Sequence, residues 1–255
     1  MTRKRLVAGN WKMNGSLGTN VPLVSGILAG AALAAHVDLA VCPPAVYLES
    51  VGQKLRGSAV ALGAQNLCER EKPGAFTGEI HGSMLRELGC TYVIVGHSER
   101  RTLYGEDDAR VAYKFATAQA LGLTPILCLG ETLEQRDAGE AERVLARQLG
   151  AVIDRNGVAA FARAALAYEP IWAIGTGRTA SPDQAQAVHA FLRGELTRRD
   201  AKIANSVRIL YGGSVKPTNA AALFACPDID GGLIGGASLN PADFLAIAAA
   251  GRPTE

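Results

Sequence analysis

The side chains with most chemistry to offer fall at a few places in the 255-residue sequence, each just after a short apolar run. Glu169 ends the run Ala165 to Tyr168 and precedes Pro170, whose ring disfavours helical geometry at the residue before it. The carboxylate therefore belongs on extended backbone at a strand tip. Partial removal from water raises a carboxyl pKa and strengthens the group as a base toward a carbon acid. A solvated surface glutamate at the start of a loop is the plainer alternative. His97 follows Gly96, and Ser98, Glu99 and Arg100 read as the start of a helical turn whose positive end disfavours an imidazolium. A neutral imidazole can donate to a carbonyl oxygen that is gaining negative charge. The alternative is a hydrogen-bonded structural histidine.

Lys12 lies between Trp11 and Met13, an amphipathic setting that could hold an ammonium in a cleft to attract an anion and steady developing charge. With a depressed pKa the same lysine could form a Schiff base. Three glycine clusters offer peptide N–H groups on tight turns: Gly175-Thr176-Gly177, Gly212-Gly213-Ser214 and Gly235-Gly236-Ala237. The last precedes Ala237-Ser238-Leu239, which could open a helix toward an anion. Together they suggest one phosphate, against the reading of three ordinary turns. Gly175-x-Gly177-x-x-Ala180 also fits a dinucleotide pattern, but it begins several residues past its strand and late in the chain, so it reads as coincidence. His97-x-Glu99 echoes a zinc deaminase, yet no Pro-Cys-x-x-Cys follows, and no metal site is expected.

These groups need elements to position them, and eight apolar runs suit buried strands: Leu6 to Gly9, Val37 to Cys42, Val60 to Ala64, Tyr92 to Gly96, Pro125 to Leu129, Ala165 to Tyr168, Val207 to Tyr211 and Gly232 to Ile234. Between them lie segments with helical spacing, such as Asp107 to Leu121, Glu140 to Ile153 and Pro182 to Leu196. Ser181-Pro182 with Gln184 reads as a capped helix start, and Asn240-Pro241 with Asp243 repeats it. Strand and helix in alternation predict a parallel sheet. Eight units in one undivided chain, residues 1–255, predict a closed (β/α)8 barrel, with an open doubly wound sheet as the alternative. In both, ligands bind beyond the carboxyl ends of the strands, where the polar residues concentrate.

Composition excludes several classes of function. Lys and Arg number 26 against 24 Asp and Glu, a net charge of +2, which argues against charge-driven nucleic-acid binding. The longest apolar stretches, Gly26 to Ala35 and Phe244 to Gly251, fall short of the ~18 residues of a membrane span. The basic start at Arg3-Lys4-Arg5 leads into an apolar run soon broken by Asn10 and Lys12, so no signal peptide is expected and the default location is the cytoplasm. Five cysteines, odd in number and far apart, read as reduced and mostly buried thiols.

Asn10-Trp11-Lys12-Met13-Asn14, Gly96-His97-Ser98-Glu99-Arg100-Arg101, Tyr168-Glu169-Pro170 through Gly177, Tyr211-Gly212-Gly213-Ser214 and Gly235-Gly236-Ala237-Ser238 resemble the triosephosphate isomerase family, in that family's order and over the full length. Gly74-Ala75-Phe76-Thr77-Gly78-Glu79 is a sixth match. The resemblance implies a TIM barrel that interconverts dihydroxyacetone phosphate and glyceraldehyde 3-phosphate through an enediolate, in glycolysis and gluconeogenesis, without a cofactor. It implies that Glu169 shuttles the proton, that His97 donates to the carbonyl oxygens, that Asn10 and Lys12 stabilise charge, and that Glu99 supports the site from behind. Pro170 to Ala180 would be a lid that brings Ile174 over Glu169 and the Gly175 amide onto the phosphate, with Ser214, Gly235 and Gly236 completing the grip. The resemblance also implies a homodimer in which the loop Lys72 to His81, Thr77 at its tip, enters the partner. Arg178 stands where lysine is common at the lid's second hinge, and His81-Gly82 replaces small residues. The rival functions are a barrel aldolase with Lys12 as Schiff-base lysine and a catalytically silent phosphate-binding barrel.

Overall fold

A computed structural model describes residues 3–173 and 179–251. Eight strands form one closed parallel barrel in chain order: β1 (Leu6–Asn10), β2 (Asp38–Cys42), β3 (Val60–Ala64), β4 (Cys90–Val95), β5 (Thr124–Leu129), β6 (Ala165–Tyr168), β7 (Arg208–Tyr211) and β8 (Gly231–Ile234). Closure comes from β1 pairing with both β2 and β8, in the registers Leu6↔Asp38 and Leu6↔Gly231. The expected (β/α)8 barrel is therefore present, and the open sheet is not.

Side chains alternate along a strand, so a closed sheet divides its apolar residues into two cores. Leu6, Ala8, Ala40, Ile94, Ile126, Ala165, Ala167, Leu210 and Leu233 point inward and fill the barrel. Their neighbours Val7, Val41, Val93, Leu127, Leu166 and Ile209 point outward into a larger core shared with the helices. Burial on both faces is why these strands read as unbroken apolar runs.

The helices carry the buried stripes that cover the sheet, as in Ala141–Asn156, which buries Val144, Leu145, Leu149, Val152 and Ile153. Ser181 caps the helix Pro182–Thr197 as expected: its Oγ accepts from Gln184 N (3.1 Å), and Ser181 N donates back to Gln184 Oε1 (3.0 Å). Asn240 caps Pro241–Ala249 by accepting from Ala242 N and Asp243 N, but Asp243 supplies no return bond, so only half of that box forms.

The N-terminal helix Leu17–Gly30 runs into a 3₁₀ turn, Ala31–Ala34. Together they form 18 residues with a mean hydropathy of 1.5, long and apolar enough to cross a membrane, which a search for unbroken apolar stretches missed. Pro22 lies inside the helix, and Leu23, Val24 and Ile27 are buried in the outer core with Phe244 and Ile247. This is the position of an outer barrel helix.

Candidate active site

The carboxyl ends of the strands surround a cavity of about 820 Å³ lined by Asn10, Lys12, His97, Glu169, Ser214, Gly235 and Gly236, among others. Those seven residues leave five different strands, and each was singled out in the sequence. Glu99 lines the adjoining cavity of about 680 Å³, which shares Asn10, Lys12 and His97. Gly175, Ile174 and Arg178 lie outside the described residues.

Lys12 reaches the cavity from a left-handed backbone, φ +52°, the one such non-glycine among the described residues. That conformation costs about 1–3 kcal/mol and persists only where neighbours impose it. Two do so here: Lys12 N donates to Asn10 Oδ1 (3.0 Å), and Gln65 Nε2 donates to Lys12 O (2.8 Å). The ammonium then meets Glu99 Oε1 at 2.5 Å. Glu99 thus tethers the cation that faces the ligand space.

Glu169 extends the β6 backbone, with its N–H donating to Leu129 O (2.7 Å), and its side chain is buried. Ser98 N donates to Oε2 (2.9 Å), the Ser98 hydroxyl to Oε1 (3.3 Å), and His97 Nε2 lies 2.9 Å from Oε1. Burial pushes the Glu169 carboxyl up, but the adjacent His97 and these donors outweigh it, leaving the pKa below the ordinary carboxylate value. The sequence expectation was the reverse, since it weighed burial without the donors that burial brings. His97 shows the mirror image. Burial pushes its pKa down, yet contact with Glu169 carries the net shift upward, against the expected depression by the helical turn. That turn does exist, Ser98–Tyr104, and its second N–H, from Glu99, donates to His97 Nδ1 (3.2 Å). An Nδ1 that accepts leaves the proton on Nε2, the atom that faces Glu169 and the cavity.

Ser214 follows β7, while Gly235 and Gly236 begin the 3₁₀ turn Gly236–Leu239 after β8. The first N–H groups of such a turn have no partner within it and suit an anion. A carboxylate at a strand tip, an imidazole, a tethered ammonium and the glycine turns after β7 and β8 thus converge on one cavity.

The family model for triosephosphate isomerase matches residues 5–251. The chain belongs to the triosephosphate isomerase family. Curated triosephosphate isomerases of Thiobacillus denitrificans and Cupriavidus necator are each 60% identical to it, over 96% of this chain and 97% and 98% of theirs. That of Alcanivorax borkumensis is 60% identical over 97% of this chain and 98% of its own.

Within this triosephosphate isomerase fold, sequence reasoning missed several residues. Ser98 was quoted in a motif without a role. Gln65 follows β3 and Glu131 follows β5, and inspecting the residues after every strand would have found both. Glu131 is fully buried and accepts from Tyr168 Oη (2.9 Å), Trp172 Nε1 (3.0 Å) and Arg136 Nη1 (2.9 Å), at the entrance to the segment expected to be a lid. His81, one of the departures from the family pattern, caps the short helix Gly82–Glu87 by accepting from Ser83 N (3.3 Å). Away from the cavity, Cys68, Glu69 and Glu79 hold donor atoms within 4.8 Å of one another, but Glu69 is already paired with Arg110.

Proposed function

We propose that this triosephosphate isomerase family member is a single-domain enzyme, residues 1–255, that interconverts dihydroxyacetone phosphate and glyceraldehyde 3-phosphate by moving one proton between adjacent carbons. The observation that carries the reading is the convergence of Glu169, His97 and Lys12 on a cavity whose other wall is the Ser214, Gly235 and Gly236 phosphate cradle. Glu169 takes a proton from the carbon beside the carbonyl while His97 Nε2–H donates to the oxygen as it gains charge; the hydroxyl proton passes from the first oxygen to the second by way of the imidazole, and the enediolate collapses when Glu169 returns its proton to the neighbouring carbon. Asn10 and Lys12 stabilise the charged intermediate, and Glu99 holds Lys12. The family resemblance assigns the rest of the phosphate grip to Gly175, which lies outside the described residues; keeping water from the intermediate protects it from eliminating its phosphate.

In the structure the Glu169 carboxylate and the His97 imidazole are hydrogen-bonded to each other. Glu169 must leave Ser98 and His97 to reach carbon, and its departure frees Nε2–H for the substrate oxygen. The same step strips away the groups that hold the Glu169 pKa down, leaving burial, which raises it. The carboxylate becomes a stronger base as the substrate seats. A Schiff-base role for Lys12 is disfavoured by its ion pair, since an ammonium has no lone pair with which to attack a carbonyl.

The reading includes a cytoplasmic homodimer. The cysteines are unpaired thiols, four of them buried, as suits a reducing compartment. Met13 and Val46 are 95% and 81% exposed, and Met13 borders the second cavity, which is continuous with the catalytic residues. A partner's loop Lys72 to His81, led by Thr77, would cover that apolar rim. Sedimentation should give a dimer; a monomer with full turnover would remove this part.

The decisive test is Glu169→Gln, assayed with purified protein and no added metal or nucleotide. Turnover should fall roughly 10²- to 10⁴-fold, about 3–5 kcal/mol of barrier, while affinity for inorganic phosphate stays. Near-normal turnover would overturn the assignment of the base.

A further inference from the structure

The motif from Gly96 to Arg101 contains two arginines that the site has not used; Arg100 turns away to pair with Glu106 (2.5 Å), and Arg101 turns toward the barrel. Arg101 sits in the helix Ser98–Tyr104, with its side chain turned back under the end of β4. Its Nε donates to Gly96 O (2.9 Å), its Nη2 reaches Cys128 O on β5 (3.5 Å), and its Nη1 pairs with Asp108 Oδ1 (2.7 Å). Its backbone N–H donates to His97 O (3.1 Å). One residue therefore grips the carbonyls on both sides of His97.

The chain makes an unusual turn at this point. Gly96 has φ +68°, and a Cβ there would stand 2.8 Å from Val111 and 3.1 Å from Arg101 Nη2. The left-handed step swings the chain from the strand direction into the helical turn, and the direction of His97 depends on how the Gly96–His97 peptide is rotated. That carbonyl is the one Arg101 Nε holds. The next peptide, His97–Ser98, has its oxygen on the backbone N–H groups of Arg100 (2.8 Å) and Arg101 (3.1 Å) and its own N–H on Glu169 Oε2.

We propose that Arg101 is a positioning residue for the isomerisation, its side chain fixing the Gly96–His97 peptide that aims the His97 imidazole at the substrate oxygen. Arg101 touches no substrate. It ties β4, which carries His97, to β5, whose Leu129 carries the backbone of Glu169. A guanidinium suits the task because its planar fork serves two carbonyls and a carboxylate in a fixed geometry, whereas an ammonium presents three rotatable donors from a single point. Asp108, also paired with Arg147, takes only the Nη1 arm of the fork and leaves the Nε bond to Gly96 O independent of it.

The proposal rests on His97 acting as the oxygen donor, so the test contains a separate check of that role. Arg101→Lys, Arg101→Gln, Asp108→Asn and His97→Gln would be compared with the parent for kcat, KM, inhibition by inorganic phosphate, and the ¹⁵N resonances of the imidazole. Arg101→Lys should lower kcat at least tenfold, with KM and phosphate inhibition within about twofold, and should shift the His97 Nε2 resonance. Arg101→Gln should give the same split and serves where the lysine variant does not fold. Asp108→Asn should lower the melting temperature while kcat stays within about twofold, since the grip on Gly96 remains. Arg101 variants with parental kcat and imidazole resonances, or with kcat and phosphate binding lost in parallel, would overturn the proposal. His97→Gln with unchanged kcat would instead overturn the donor role beneath it.

Discussion

Gly130→Ala tests whether the strand beside Glu169 sets the position of the base. Gly130 follows β5 and is absent from the left-handed glycines, so alanine there introduces contact and not backbone strain. The contact is severe: the new methyl would stand 2.0 Å from the Glu169 carbonyl oxygen, and roughly 1 Å or more must be found to relieve it. The tip of β5 could retreat, but Gln148 clamps both ends of Gly130, its Oε1 accepting from Gly130 N (2.9 Å) and its Nε2 donating to Gly130 O (3.0 Å). Breaking that buried pair would leave unsatisfied groups at about 1–3 kcal/mol each. Moving the Glu169 backbone instead loosens the bond to Leu129 O, worth about 1 kcal/mol. The second route costs less, so the base should move. A displacement near 1 Å at a reacting group costs roughly 10²-fold in rate, and a coupled assay of dihydroxyacetone phosphate formation should show that loss in kcat. Inhibition by inorganic phosphate should change little, because the cradle after β7 and β8 is untouched. A variant with kcat within about threefold of the parent and an unfolding free energy lower by several kcal/mol would show that β5 yields, and would refute the reasoning.

Lys12→Ala should weaken phosphate inhibition and kcat/KM together, each by roughly 10-fold or more, because the ammonium acts on charge in both bound and reacting states; unchanged inhibition would confine Lys12 to the chemical step. His189 is fully buried between Tyr168 and Tyr211, and burial pushes its pKa down to about 4, with Asp228 O as its partner. Below pH 6.5 the unfolded chain takes up a proton there that the folded chain refuses until about pH 4. Stability should therefore fall with pH across that window, by about 3 kcal/mol from this residue. Urea unfolding of His189→Gln at fixed protein concentration should lose about one proton from the pH slope, and an unchanged slope would refute the shift.

The barrel was legible because strands buried on both faces must be apolar throughout, and Val60 to Ala64 and Ala165 to Tyr168 were read with the bounds the structure gives them. The read bounds drifted where that signal fails. β4 begins at Cys90, two residues before the expected Tyr92, because Thr91 enters the sheet exposed and carries no apolar mark. The half-formed box at Asn240 has the same kind of cause. Asp243 has the right spacing for a return bond, but its side chain is one methylene shorter than that of Gln184 in the box that does close.

Site residues could be read one strand at a time, whereas their charge states could not, because charge depends on neighbours that the closed sheet brings together. Ser98 and Glu169 lie 71 residues apart in the chain yet share a hydrogen bond that helps reverse the expected shift of the base. Gly130 marks a further boundary. It contributes to the site by lacking a side chain, and its significance appears only when β5 and β6 pair and the Glu169 carbonyl arrives against it. Glu131, beside it, is a buried carboxylate with three donors on one oxygen, from Arg136, Tyr168 and Trp172. So β5, which supplies none of the proposed reacting groups, holds the Glu169 backbone through Leu129 and flanks that residue with Cys128 and Gly130. In a closed barrel the neighbours of a catalytic strand are fixed by topology, so the tips of such silent strands are where mutations that misplace a correctly chosen base should concentrate.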